Sequence, residues 1–173
     1  MKAEQVLASF KKRFKLKEAR IDNVMHRANR KSAVPRIWIE IGREEFKEAV
    51  GHLCELHPMP HFAVASGYQI GEIIELIYHF SLNYGKPQGE ICIGIKTKLE
   101  KGNASIPTIT GLVPGALISE REIQEMLGVK VEGIPDSRRL FLPKNFPKKV
   151  YPWRRDETGP NKIVRNMHKG EKK

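Results

Sequence analysis

Two segments rich in β-branched and aromatic residues, EIIELIYHFSL and EICIGIKTKL, flank the turn from Asn83 to Pro87. In the first, Ile74, Leu76, Tyr78 and Phe80 fall on one side of a strand with period two. A short turn between two such runs predicts an antiparallel hairpin. HFAVASGYQ is a further strand candidate. Upstream, Ile37, Ile39 and Ile41 alternate with Trp38 and Glu40 in RIWIEI, and the weakly patterned stretch around IDNVMHRANR reads as the other half of a second hairpin.

Helical spacing appears between and around these strands. Val6, Leu7, Phe10 and Phe14 lie among lysines as a short basic amphipathic helix. From Arg43 onward, Phe46, Ala49, Val50 and Leu53 share a face, with Glu44 and Glu45 in the first turn. That helix must stop by His57, ahead of Pro58 and Pro60. A third helix can open at Pro114 or at Ser119, where Ser119 and Glu122 have capping-box spacing. It presents Ile123, Met126 and Leu127 to a core and stops at Gly128. The expected fold class is therefore α+β, a mixed sheet with helices mainly on one face. Its parts are a basic amphipathic helix in 1–17, an α+β domain in 18–141 and an extended basic arm in 142–173. The arm, full of prolines and bases, is expected to lack a core of its own and to take its order from a partner.

Charge is distributed unevenly. Residues 1–36 carry 11 Lys/Arg against 3 Asp/Glu, residues 144–173 carry 10 against 3, and the middle carries 10 against 14. The net charge of +11 thus belongs to the two ends, which favours an acidic partner, an anionic membrane surface or nucleic acid. Phe10, Phe14, Tyr151 and Trp153 lie among bases as stacking platforms for nucleic acid could, but the central domain is acidic and no nucleic-acid-binding module is visible. With no long apolar run, no signal-peptide core and only Cys54 and Cys92, a soluble protein of a reducing compartment is expected.

The chemistry-bearing motifs are few. His52, Cys54, His57 and His61 are zinc-ligand types, but they come from one structural piece and have no second Cys/His pair, so no metal site is expected. Two cysteines cannot hold an iron–sulfur cluster, for which about four thiolates are needed. Neither GxGxxG, GxxxxGK[ST] nor GxSxG occurs. Catalysis, a bound cofactor and a small-molecule substrate are all unsupported by pattern.

One stretch stands apart: SEREIQEMLGVKVEGIPDSRRL, residues 119–140, with five acids and four bases. A near-balanced mixture suits charges that pair with one another and with a partner surface. Arg121 and Glu125 share a helical side at a spacing of four. Pro135 forces an extended or turning path. Arg138 and Arg139 are then expected on opposite sides, one tied back to Glu120 or Glu122 and the other reaching a partner carboxylate.

The segment EREIQEMLGVKVEGIPDSRRLFLP resembles the signature of the thirty-kilodalton hydrophilic-arm subunit of respiratory complex I, a family shared with membrane-bound nickel–iron hydrogenases. Glu120, Arg121, Glu122, Gly128, Gly133, Pro135, Asp136, Arg138 and Arg139 match its pattern, as does YPWRRD downstream. Gln124, Glu125 and Ile134 depart from an apolar residue, an Asp and a His, which favours the hydrogenase or archaeal branch. The resemblance covers about 20–156 and implies a subunit without cofactor. It implies packing beside a large catalytic subunit and an iron–sulfur-bearing small subunit, with the arm wrapped over the former. The function implied is non-catalytic assembly of the peripheral arm of a membrane-bound redox complex, on the cytoplasmic face and attached to the membrane indirectly. A hydrogenase is favoured over an NADH or other quinone oxidoreductase, and both over a nucleic-acid-binding protein. The partner interface is expected at Glu120, Arg121, Glu122, Pro135, Asp136, Arg138, Arg139, Tyr151, Trp153, Arg154 and Arg155.

Overall fold

A computed structural model describes residues 1–26, 29–86 and 89–163. The elements in chain order are α1 (Ala3–Arg13), β1 (Glu18–His26), β2 (Asn29–Glu40), α2 (Phe46–Leu56), β3 (His61–Ile70), β4 (Ile73–Leu82), β5 (Ile91–Glu100), β6 (Ser105–Pro107), α3 (Ala116–Leu127) and β7 (Lys130–Glu132). Five strands form one sheet in the order β1-β2-β5-β4-β3. The β1–β2, β3–β4 and β4–β5 pairs are antiparallel, and β2 runs parallel to β5, so the sheet is mixed and the fold is α+β.

Register decides which side chains meet. Ile74, Leu76, Tyr78, Phe80 and Leu82 of β4 stand opposite Leu99, Thr97, Ile95, Ile93 and Ile91 of β5. With Ile37 and Ile39 of β2 they make one buried face. The helices cover that face. Phe46 of α2 lies against Tyr78 with ring centroids 4.7 Å apart. Phe10 of α1 meets His52 of α2 edge-on at 5.0 Å. Leu127 of α3 reaches the sheet at Gly67, beside Leu76.

The other face carries Glu40, Glu75, Lys96 and Lys98, which form ion pairs across the strands; Lys98 to Glu40 is 2.8 Å. Trp38 packs against Gly94, where a Cβ would come within 2.5 Å of the indole, so this pair requires glycine.

The helix ends follow local chemistry. In α1, Glu4 lies in the first turn and Lys11, Lys12 and Arg13 in the last, as the helix dipole favours. A 3-10 turn over Arg43–Glu45 leads into α2, which ends at Leu56 and is capped by His57 just before Pro58. Of the two openings foreseen for α3, the one at Pro114 is used: Ala116 is its first residue, and Ser119 lies inside the helix. Gly128 terminates α3 in the left-handed conformation, φ 68°. Soon after it comes β7, which pairs in parallel with β6 to form a second, two-stranded sheet that the sequence pattern does not announce.

Candidate functional site

The signature stretch begins on α3 and ends in an irregular segment that wraps back over it. Helical spacing places Arg121 and Glu125 on one side of α3, and that side grips the following loop mainly by its backbone. Arg121 donates from Nε to the carbonyl of Arg138 at 2.9 Å and from Nη2 to that of Arg139 at 3.1 Å. Its Nη1 lies 3.4 Å from Asp136. Glu125 accepts the N–H groups of Leu140, Phe141 and Leu142 at 3.1, 2.8 and 2.8 Å. Gln124 accepts the N–H of Val131 at 3.1 Å and so ties β7 to α3. The charges of the signature are therefore held largely by main-chain groups.

The arginine pair behaves differently from expectation. Neither Arg138 nor Arg139 ties back to Glu120 or Glu122. Arg138 forms a fork with Asp136, Nε–Oδ1 2.9 Å and Nη2–Oδ2 2.8 Å, while its side chain is 84% exposed. The Arg138 guanidinium and N–H hold the Asp136 carboxyl well below the usual carboxylate range. Arg139 donates to the carbonyls of Pro143 at 2.7 Å and Phe146 at 3.2 Å, bracing the start of the arm.

Two residues expected at a partner surface face inward. Glu120 is fully buried and accepts from the Thr108 hydroxyl at 2.5 Å and the Ile109 N–H at 2.9 Å. It fastens the loop after β6 to α3 from within, because α3 turns its Ala116–Glu120–Ile123–Leu127 side to the core. Burial pushes its carboxyl above the ordinary value, although the Thr108 and Ile109 hydrogen bonds oppose this. Arg154 is 8% exposed; its Nε donates to the carbonyl of Leu127 at 2.7 Å, and its guanidinium lies over the Tyr151 ring at 4.6 Å. The remaining expected residues stay accessible: Pro135, Trp153 and Arg155 are exposed, and Arg121, Glu122, Asp136 and Tyr151 are half-buried.

The arm corrects a larger expectation. Residues 142–159 are irregular, as foreseen, but 151–159 are anchored to their own domain. The N–H of Trp153 donates to the carbonyl of Met126 at 3.0 Å, and the Tyr151 ring lies against Gly128. Asp156 takes Lys101 at 2.9 Å and Gln69 at 2.9 Å. Burial raises the Asp156 carboxyl, but hydrogen bonds from Thr158, Lys101 and Gln69 outweigh it and hold the group well below its ordinary value. Gln69, Lys101, Glu125 and Asp156 were not foreseen. Only the spacing of Arg121 and Glu125 hinted at a shared role, and nothing local links Gln69 or Lys101 to the arm.

Between the signature and the arm lies an open bowl of about 240 Å³, with Arg121, Arg138, Arg139, Lys148 and Lys149 around it and Leu142, Pro147, Val150 and Tyr151 as its apolar lining. The metal-ligand candidates are not gathered together. His52 is packed between Phe10 and Phe14, bonded to Ser9 and Arg13, while His61 stacks on Tyr84. Burial raises the Cys54 thiol above its ordinary value, which disfavours a reactive thiolate.

Residues 39–162, which hold β3, β4 and β5, the signature and the anchored arm, match the family described as the 30 Kd subunit of respiratory-chain NADH dehydrogenase. The chain belongs to that family. Among its relatives is the membrane-bound hydrogenase subunit beta of Pyrococcus furiosus, 37% identical over 166 residues, covering 95% of this chain and 92% of that one. An NADH-quinone oxidoreductase subunit of Moorella thermoacetica is 34% identical over 82 residues, covering 47% of this chain and 53% of its own. A chain in the structure of the membrane-bound sulfane sulfur reductase, an archaeal respiratory membrane complex, shares the fold with TM-score 0.70 at 18% identity, covering 99% and 98% of the two chains. As a member of the thirty-kilodalton family, the chain is related to subunits of hydrogenase and complex I oxidoreductases. Among the described residues, no helix is long and apolar enough to cross a membrane.

Proposed function

We propose that this chain is a non-catalytic accessory subunit that assembles and stabilises the peripheral arm of a membrane-bound redox complex of the hydrogenase type. The observation that carries this reading is the match to the Pyrococcus furiosus hydrogenase subunit across 95% of this chain and 92% of that one. The distribution of polar side chains supports it. The signature's Glu120, Arg121 and Glu125 are engaged in bracing backbone, and a reaction would need such groups free to meet a substrate.

On this reading the partners are a large catalytic subunit and an iron–sulfur-bearing small subunit. The chain is peripheral, on the cytoplasmic face, and meets the membrane only through the complex. It carries no cofactor, metal or small-molecule substrate and binds no nucleic acid. The contact surface is formed by Glu122, Pro135, Arg138, Trp153 and Arg155, with Arg121, Asp136, Arg139 and Tyr151 beneath or beside them. Glu120 and Arg154 act from inside, by holding this surface in shape. The half-length match to the Moorella thermoacetica protein supports a second reading, the equivalent subunit of a quinone oxidoreductase.

Co-expression of the tagged chain with the two neighbouring subunits tests the role. Both should co-purify at equal stoichiometry, while the chain purified alone is redox-silent and free of stoichiometric iron or zinc. A tightly held metal, lost on His57→Ala, or failure to co-purify, would sink the proposal.

A further inference from the structure

The bowl between the signature and the arm is not explained by bracing. Arg138 uses one side of its fork on Asp136, which leaves Nη1 and half of Nη2 free, and its side chain is 84% exposed. Across from it, Lys148 and Lys149 are exposed. Lys149 holds a left-handed backbone, φ 62°, in which non-glycine residues are uncommon and which marks sites whose shape is over-determined by their surroundings. That conformation turns the chain so that two consecutive lysines line the same bowl as the signature arginines. Glu125, the acid of the bowl, already accepts three N–H groups. The field inside is positive, and Leu142, Pro147 and Val150 give the bowl an apolar part.

We propose that this bowl receives an acidic side chain of a partner protein, a carboxylate seated between Arg138 and the Lys148–Lys149 turn with an adjacent apolar residue against Leu142 and Val150. The inference rests on the accessory-subunit reading and names the chemistry its partner must bring. The acid already present selects the occupant. Glu125, which lines the bowl, repels a continuous polyanion such as a nucleic-acid backbone, whereas a single carboxylate fits among the cations. The apolar part offers nothing to a phosphodiester and suits the aliphatic part of a peptide.

The test uses the full chain and a dye-labelled, end-capped peptide of alternating glutamate and leucine, read by fluorescence anisotropy. Controls are the glutamine–leucine peptide, a single-stranded oligodeoxynucleotide and phosphatidylglycerol vesicles. The acidic peptide should bind about tenfold more tightly than its glutamine counterpart, as desolvated charge contacts allow. Lys149→Gly should keep or raise the melting temperature, because glycine adopts φ 62° freely, while weakening the acidic peptide roughly fivefold. Equal binding of the two peptides, or tighter binding of the oligonucleotide or the vesicles, overturns the carboxylate site. If Lys149→Gly binds the acidic peptide as well as the native chain does, the bowl is not the site. If that variant also co-purifies normally with the large subunit, the accessory role stands without the bowl. Failure of the native chain to co-purify brings down the accessory reading itself.

Discussion

Arg154 and Leu127 meet at the end of α3, where the arginine Nε donates to the leucine carbonyl at 2.7 Å in a buried setting. The last carbonyls of a helix have no partner within it, and here a side chain from the returning arm supplies one. Arg154→Ala should therefore destabilise the isolated chain by about 2–3 kcal/mol, by stranding that carbonyl and removing the packing on Tyr151. Lysine should rescue poorly, because a point charge cannot both donate here and stack. Truncation after Lys149 should lower the melting temperature by roughly 5–10 °C, since it removes the Leu127, Met126, Gln69 and Lys101 anchors together. An unchanged melting temperature would show that the arm does not stabilise its own domain.

Gly128 and Tyr151 are matched in shape. A Cβ at Gly128 would fall 2.3 Å from the tyrosine ring, and the backbone there is left-handed. Gly128→Ala should cost about 1 kcal/mol from conformation and a further 1–3 kcal/mol from overlap. In a Tyr151→Ala background only the first part should remain. A double-mutant cycle by denaturant unfolding reads the difference, and full additivity would refute the contact.

Glu120 is a carboxylate sealed in the core, satisfied by hydrogen bonds rather than by a salt bridge. Glu120→Ala should cost about 2–4 kcal/mol, by opening a cavity and orphaning the Ile109 N–H. Glu120→Gln should be as stable as the native chain or more so at neutral pH. Its amide oxygen can keep the Ile109 bond, and the Thr108 hydroxyl can turn to Thr110, 2.9 Å away. Because burial raises the Glu120 carboxyl, the folded state binds its proton more tightly, so stability falls as pH rises from about 4.5 through the folded value. The glutamine variant should lack that decline. Unfolding curves above and below this interval decide the matter.

Asp156 has the opposite sign. Its carboxyl is depressed in the folded chain, so it contributes stability that is complete above the ordinary value of 3.8 and is lost as pH falls through the lower folded one. Asp156→Asn should be less stable than the native chain at neutral pH and converge with it in strong acid. Parallel acid-unfolding curves would rule out a role for the Lys101 and Gln69 contacts.

Glu125 can be tested by exchange. Glu125→Ala removes the acceptor of three consecutive N–H groups, at Leu140, Phe141 and Leu142. Their amide hydrogens should exchange markedly faster while those of β4 and β5 keep their protection. If the three amides remain as protected as before, the loop is held by something else.

The chain by itself determined its elements, because strand alternation, helical spacing and glycine stops are properties of neighbours in sequence. Ile74, Leu76, Tyr78 and Phe80 declare a strand face, Phe46, Ala49, Val50 and Leu53 a helix face, and Gly128 an end. The signature and YPWRRD also declared the family. The two hairpins were local too, but which other strands pair is not a local property: period two looks the same whether β2 lies beside β5 in parallel or elsewhere, and the three residues of β6 are too short for alternation to register. The roles of single charged residues were decided later still. Glu120 and Glu122 read alike in a sequence, but the turn of α3 buries the first and leaves the second half-exposed. Arg154 and Arg155 are adjacent bases, yet only Arg154 lands on an unpaired helix carbonyl. An unpaired polar group in an interior requires a partner, whichever residue the fold brings to it, and that pairing exists only once the chain has closed on itself.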